Sequence, residues 1–258
     1  MNVSWKHYAL LLKKKKRYEA QQFIVEGVRL CQEALLSGWE VEIAFVTEAF
    51  QQSPQWLSFD DTFRHRKIVC RTLQPQQFKR LAETDSPQGI VMVMRMPSVA
   101  AEKINFRKAA FVLLLEDIRD PGNMGTIIRT ADWYGVNAII LSSDCVDPYN
   151  SKVLRSTMGS IFHLPVYTAQ NLADEIRRLK EHRFWLVASS LTAKKVLRET
   201  YFKKPIAMIL GSEAHGLSPE IQNLADLKIR IWKYGQAESL NVAIAGGVMM
   251  HYIAEQIF

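Results

Sequence analysis

The chain has 258 residues, 48% of them hydrophobic and 23% charged, the composition of a water-soluble globular protein long enough for two domains. Its formal charge of +7 is shared, +4 over residues 1–105 and +3 over the remainder. An anionic partner such as nucleic acid is favoured, but not through a basic tail. Cys31, Cys70 and Cys145 stand far apart outside any C-x-x-C pair, and the six histidines are scattered. This excludes a disulfide framework or a zinc cluster, predicts no metal, and fits a reducing, cytoplasmic setting.

No apolar run approaches the roughly 20 residues of a membrane span. The apolar Ala9–Leu12 precede the basic cluster instead of following it, unlike a secretory signal. Trp5, Tyr8, Leu11 and Leu12 have helical spacing, and Lys13, Lys14, Lys15, Lys16 and Arg17 read either as the solvated end of that helix or as a phosphate-contacting patch. An extended piece over 17–27 is followed by a helix from Val28 to Leu36, stopped at Ser37-Gly38. Strands are predicted at 41–46, 68–70 and 89–94, with a helix from Pro75 to Leu81. This small αβ unit, residues 1–97, holds no carboxylate, His or Cys spacing suited to catalysis, so binding is its expected task. Residues 98–108 read as a linker.

From Ala109 the pattern changes. The near-continuous apolar run 109–115 suits a strand covered on both faces. Helices are predicted at 124–134, 152–158, 172–181, 219–224 and 242–257, and strands at 137–141, 184–188, 206–210 and 227–231. Alternating strands and helices predict an α/β domain over 109–258 with a largely parallel sheet.

Ligands of such sheets sit at the carboxyl ends of the strands, where three loops stand out. Glu116–Arg129 contains a Pro121-Gly122 turn, Asn123, Gly125 and then Arg129 on a helix, facing either the loop or solvent. Its spacing is neither G-x-G-x-x-G nor a P-loop, which disfavours a dinucleotide or nucleotide-triphosphate site. Leu210–Leu217 places glycines around Glu213 and His215, which are candidates for proton chemistry or simply for accepting backbone amides. Gly235–Val242 contains Ser239, in position to cap the closing helix, and Asn241 in its first turn.

In order and spacing these loops resemble the three motifs of the SpoU (TrmH-like) branch of the SPOUT methyltransferases. They stand as Asn123-x-Gly125-x-x-x-Arg129, Gly211-x-Glu213-x-x-Gly216 and Ile231-Trp-Lys-Tyr-Gly235-x-x-x-Ser239-Leu240-Asn241-Val242. Lys152–Gly159 looks like the family's K-x-x-R-x-S/A-x-G segment, and Trp232-Lys233 replace the usual Pro-Met. Phe23-x-Val25-Glu26-Gly27 resembles, more loosely, the small L30e-like substrate-binding domain of rRNA methyltransferases.

The resemblance implies a parallel sheet with a C-terminal trefoil knot, a homodimer, and S-adenosylmethionine held by Ser190, Leu191, Gly211, Gly216, Ile231 and Leu240. The implied reaction is 2′-O-ribose methylation of structured RNA, with 23S-type ribosomal RNA favoured over tRNA. Arg129 would draw off the hydroxyl proton, hold the adjacent phosphate or stabilise the developing alkoxide, helped by Asn123, Glu213, Ser239 and Asn241. Lys13–Arg17, Arg29 and Arg155 would grip the RNA. The alternatives are tRNA 2′-O-methylation and a non-catalytic RNA-binding ribosome-assembly factor.

Overall fold

The computed structural model describes residues 4–97, 106 and 108–258. In chain order the elements are α1 (Trp5–Ala9), α2 (Lys14–Ala20), β1 (Gln22–Glu26), α3 (Val28–Leu36), β2 (Val41–Val46), α4 (Glu48–Gln51), α5 (Trp56–His65), β3 (Cys70–Thr72), α6 (Pro75–Phe78) and β4 (Ile90–Arg95). There follow β5 (Phe111–Leu115), α7 (Pro121–Trp133), β6 (Ala138–Leu141), α8 (Ser151–Thr157), β7 (Val166–Thr168), α9 (Leu172–Glu181), β8 (Trp185–Ser189) and β9 (Lys195–Val196). The chain closes with β10 (Ile206–Leu210), α10 (Pro219–Leu224), β11 (Leu227–Arg230) and α11 (Val242–Ile257).

Two compact units form: the described part of residues 1–98 together with Tyr149–Phe162, and the remainder. The first unit has a four-stranded sheet in the order β1-β4-β2-β3, antiparallel except for β2 and β3. One face packs Ile24, Ile43, Phe45, Val91 and Val93 against Tyr8 and Leu11. The expected extended piece from Arg17 begins instead as α2, because a run of lysines is rich in helix formers and Gln21, at φ 53°, ends the helix in the left-handed region. The basic cluster thus starts a helix and does not finish one. Between β2 and β3, where pattern alone shows no element, α4 and α5 are fastened by edge contacts of Phe59 with Phe50 and Phe63 at 5.6 and 5.9 Å.

Residues 149–162 interrupt the stretch 109–258 that alternation predicts as one domain. α8 packs on β1, Tyr149 lies 4.7 Å from the Phe23 ring, and Phe162 meets Trp39 edge-on at 5.1 Å. Buried Glu26 accepts from the amides of Glu83 and Thr84 and from the Thr84 hydroxyl, and faces Arg155 at 4.0 Å. The excursion is therefore held by aromatic area and by a partly buried charge pair.

The second unit has a seven-stranded sheet in the order β7-β6-β5-β10-β8-β11-β9, parallel at every pairing. Each residue of β5 is fully buried, as its uninterrupted apolar run requires. On one face α9 contributes Leu172, Ala173, Ile176 and Leu179 to a core with Val112, Leu114, Ala207 and Ile209. Elsewhere in this unit α11 packs on α7. A Cβ at Gly246 would come 2.8 Å from Leu210 Cδ1, which shows how closely α11 approaches the end of β10. The strand order runs outward from β5 through β6 to β7, then restarts beyond β10. That reversal creates a switch point beside β5, where open sheets take ligands. No helix among the described residues is long and apolar enough to cross a membrane.

Candidate active site

Three neighbouring strands, β10, β8 and β11, end side by side and point the same way. The loops that leave them begin at Gly211, Ser190 and Ile231. The loop after β5 joins this row because β5 pairs with β10, Leu115 opposite Leu210. Parallel order thus brings together residues that are far apart in sequence.

α7 starts at Pro121, three residues before the expected Met124, because Pro121-Gly122 forms the first turn of the helix and not a separate loop turn. Asp120 is its N-cap, accepting from Asn123 N at 2.8 Å, and Pro121 occupies the first turn. This fixes Asn123 in the first turn with its side chain over the strand ends. Asn123 Nδ2 donates to Glu213 Oε1 at 2.6 Å, and Asn241 Nδ2 donates to Asn123 Oδ1 at 2.9 Å and to Glu213 Oε1 at 3.0 Å. Val242 N adds a third bond to Glu213 Oε1 at 3.2 Å. One carboxylate oxygen therefore gathers donors from two other loops. Glu213 acts here as a pin between three loops, each bond contributing about 0.5–1.5 kcal/mol net.

Asn241, and not Ser239, caps α11: its Oδ1 accepts from Ala243 N and Ile244 N at 2.9 and 3.3 Å. The asparagine side chain thus caps with its oxygen and clamps with its nitrogen. Ser239 and His215 are exposed and make no hydrogen bond among the described residues. The loop after β10 is closed by Gly216 N donating to Ser212 O at 2.8 Å. A Cβ at Gly211 would lie 2.4 Å from the Gly216 carbonyl, so only glycine allows this approach. Ser218 N donates to Glu116 Oε2 at 2.8 Å, tying the end of the loop to the loop after β5.

The cleft between these loops measures about 270 Å³ and is lined by Asp117, Arg119, Asp120, Asn123, Glu213 and Val242, among others. Arg119 Nε donates to Asp117 Oδ1 at 2.5 Å, and that bond holds the guanidinium above its usual pKa. Asp117, Arg119 and Asp120 line the cleft, and Glu116 ties two of its loops, though motif reading passes over all four. The aspartate followed by proline at 120–121 is the signal that marks Asp120.

Arg129 is not gathered with Asn123, Glu213 and Asn241. Six residues beyond Asn123 on α7, it lies roughly 9 Å along the axis and about 120° around it. It is exposed and makes no hydrogen bond or ion pair among the described residues. The remaining expected positions follow the strand ends: Ser190 N donates to Ile229 O at 2.9 Å, while Leu191 and Leu240 stay exposed beside their loops.

In the first unit Lys13, Lys14, Lys15 and Arg29 are exposed, and Lys16 pairs with Glu19 at 2.6 Å. Arg17 departs from the expectation of an RNA contact. It is 5% exposed and donates to the carbonyls of Leu11 and Leu12, both at 2.9 Å, bridging the turn between α1 and α2. Arg155 is turned partly inward toward Glu26. Among the described residues no group of three or more His, Cys, Asp or Glu side chains is placed to hold a metal ion.

Residues 110–251 match the SpoU rRNA Methylase family, and residues 2–92 match the MRM3-like substrate binding domain. A 23S rRNA (guanosine(2553)-2′-O)-methyltransferase of Bacillus subtilis is 34% identical over 252 residues, 98% of this chain and 96% of that protein. Among solved structures, the SpoU methyltransferase AviRb of Streptomyces viridochromogenes in complex with AdoMet superposes with a TM-score of 0.90 at 27% identity, covering 99% of this chain and 98% of that one. An AdoMet-bound rRNA methyltransferase of Sinorhizobium meliloti gives 0.87 at 31% identity, covering 98% and 95%. A family match over more than half the residues and a relative similar along nearly the whole length agree with the three-loop site: the chain belongs to the SpoU rRNA methylase family.

Proposed function

We propose that the protein transfers the methyl group of S-adenosylmethionine to a ribose 2′-OH of 23S-type ribosomal RNA. The observation that carries this reading is the hydrogen-bonded triangle of Asn123, Glu213 and Asn241, which joins the loops after β5, β10 and β11 into one site. The cofactor fits the residues present. The closed turn leaves backbone open at Gly216, where even a Cβ would meet nothing within 4 Å, and the exposed Leu191 and Leu240 offer apolar surface on the loops after β8 and β11. Ser190, Leu191, Gly211, Gly216, Ile231 and Leu240 would hold it, and when bound it supplies an electrophilic methyl group on a sulfonium.

What the chain must add is position and charge. Bringing a hydroxyl oxygen to about 3–3.5 Å along the line of attack accounts for much of the acceleration in such transfers. A guanidinium has five donors and no acceptor, so Arg129 suits the phosphate beside the target or the negative charge growing on the 2′-oxygen as its proton leaves to water. Ser239, exposed two residues from the clamp, is free to hydrogen-bond the ribose.

A homodimer completes this arrangement. Trp133, one turn beyond Arg129 on the same face of α7, is 84% exposed, and Ile244 and Val248 on α11 are 57% and 41% exposed. Apolar side chains so placed mark a face that another subunit covers. Closing it between two copies carries Arg129 into their junction. The return of residues 231–241 from β11 to Asn123, over the ends of β8 and β10, supports a trefoil knot in this unit. In the first unit the exposed Lys13, Lys14, Lys15 and Arg29 supply phosphate contacts. A ribosomal RNA substrate implies a cytoplasmic protein.

The test is transfer of tritium from methyl-labelled cofactor to ribosomal RNA by purified protein, followed by alkaline hydrolysis. A 2′-O-methyl group blocks cleavage at its own phosphodiester, so the label should appear in alkali-stable dinucleotides. Label in mononucleotides, or no transfer, would contradict the reading.

A further inference from the structure

The loops after β9 and β11 carry a set of side chains that the cofactor cleft leaves unused. β9 and β11 pair in parallel, with Val196 opposite Arg230, so both loops leave the same edge of the sheet. The stretches 194–199 and 228–238 contain Lys194, Lys195, Arg198, Lys228, Arg230 and Lys233 against only Glu199 and Glu238. Arg198 Nη1 donates to the Tyr234 hydroxyl at 2.6 Å. The Arg198 guanidinium carbon lies 5.3 Å from the Trp232 ring centre and 6.0 Å from that of Tyr234, and the Arg230 guanidinium carbon lies 5.1 Å from Trp232. Tyr252 on α11 donates its hydroxyl to the Arg198 carbonyl at 2.8 Å, anchoring the arginine from behind.

The energetics of this group point outward. Tyr234 is fixed by its hydroxyl, yet it is 82% exposed, so it gives up rotamer freedom without gaining burial. Arg230 Nε is buried without a hydrogen-bond partner. Folding alone gains little from holding a tyrosine ring in water against Arg198. Unpaired RNA supplies the missing counterpart, since every base has a π-face to stack on aromatic or guanidinium planes and every nucleotide a phosphate for the cations.

We propose that Tyr234, supported by Arg198 and Trp232, is a stacking platform for an unpaired nucleotide flanking the methylated one. Tyr234 sits on the loop that leads to Ser239 and Asn241, so a base held there splays the strand where the target ribose must enter. Trp232 and Lys233 stand where the family motif has Pro-Met, so the platform belongs to this chain's own departure from that motif. The inference rests on RNA being the substrate.

The test uses the full chain with Tyr234→Ala and Tyr234→Trp. Direct binding of ribosomal RNA, its KM in methyl transfer, and the Kd of S-adenosylmethionine by calorimetry are compared. Losing one stacked base should weaken RNA binding about 5- to 150-fold. The Ala variant should raise KM by that factor while the Trp variant restores it, and the slope of log affinity against log salt should not change, because no phosphate contact is removed. Cofactor Kd should be the same in all three proteins. Unchanged RNA binding by Tyr234→Ala overturns the proposal. So does a drop in molar mass by light scattering, which would assign the ring to a second copy of the chain, or a shifted cofactor Kd, which would assign it to the cofactor. If the wild-type protein binds RNA and cofactor without methyl transfer, the proposed reaction fails, while the RNA-binding comparison still decides the platform.

Discussion

Asn241 does two jobs with one amide, and substitution can separate them. Asn241→Ala removes the cap of α11, about 1 kcal/mol, and two bonds from Nδ2 to Asn123 and Glu213. At this exposed edge those bonds are worth about 0.5 kcal/mol each. The total is about 2 kcal/mol, which in a unit of this size lowers Tm by roughly 4–8 °C. The part that belongs to loop assembly, about 1 kcal/mol, should raise the cofactor Kd about fivefold. Asn241→Asp keeps a cap oxygen and places negative charge at a helix N-terminus, both favourable. It also sets a second carboxylate about 3 Å from Glu213 Oε1, a repulsion of about 1.5–5.5 kcal/mol depending on local screening. The Asp variant should therefore bind cofactor worse than the Ala variant at about pH 8 and recover at about pH 5, as the carboxylates begin to share protons. Calorimetry with S-adenosylmethionine at the two pH values reads this out. Wild-type affinity in Asn241→Asp at the higher pH, or a flat response, would refute the clamp.

Gly211→Ala should cost at least about 1–3 kcal/mol and abolish cofactor binding, because the new Cβ meets Gly216 backbone at 2.4 Å. Gly235→Ala, which meets nothing within 4 Å, should leave Tm within about 2 °C; equal effects in the two would remove the role given to close packing at Gly211. Burial pushes the thiols of Cys31 and Cys145 up, and burial followed by Asp60 pushes Cys70 up to about 12 from 9.0. Native protein should therefore react slowly with iodoacetamide at about pH 8 and quickly in denaturant. For Cys70 the folded state keeps a proton that the unfolded state releases above 9.0, so this contribution to stability is intact below that pH and is lost as pH rises toward about 12. A melting temperature rising through that window would contradict the sign. Replacing Lys13, Lys14 and Lys15 by alanine should reduce the slope of log RNA affinity against log salt by about 2–3, whereas an unchanged slope would remove them from the interface.

The elements written most plainly in the chain are those whose stability is local or fully buried. The apolar run of β5 and the apolar length of α11 give both away, whereas Pro121-Gly122 reads as a loop turn and hides the first turn of α7. Edge strands β7 and β9 are too short, at three and two residues, for alternation to register. Ser239 and Asn241 are equally good caps by residue type, and only the placement of Asn123 and Glu213 decides for Asn241. Nor can a run of five basic residues reveal that Arg17 folds back on Leu11 and Leu12 while its neighbours stay in water. α8 reads as part of the second unit because nothing in its own sequence reports Phe23, Glu26 and Trp39. The three motif loops were legible as motifs, but their joining at one carboxylate oxygen depends on the strand order. The meeting of Arg198 with Tyr234, 36 residues apart, depends on the pairing of β9 with β11.

The most direct test is position-resolved mapping of 2′-O-methylation in 23S ribosomal RNA from cells with the gene, without it, and with Arg129→Ala. Expected is one ribose that is methylated with the wild-type gene, unmethylated without it, and unmethylated or nearly so with Arg129→Ala, while the purified variant still binds S-adenosylmethionine. Unchanged ribose methylation across the three, or a lost methyl group that sits on a base or on tRNA, would contradict it.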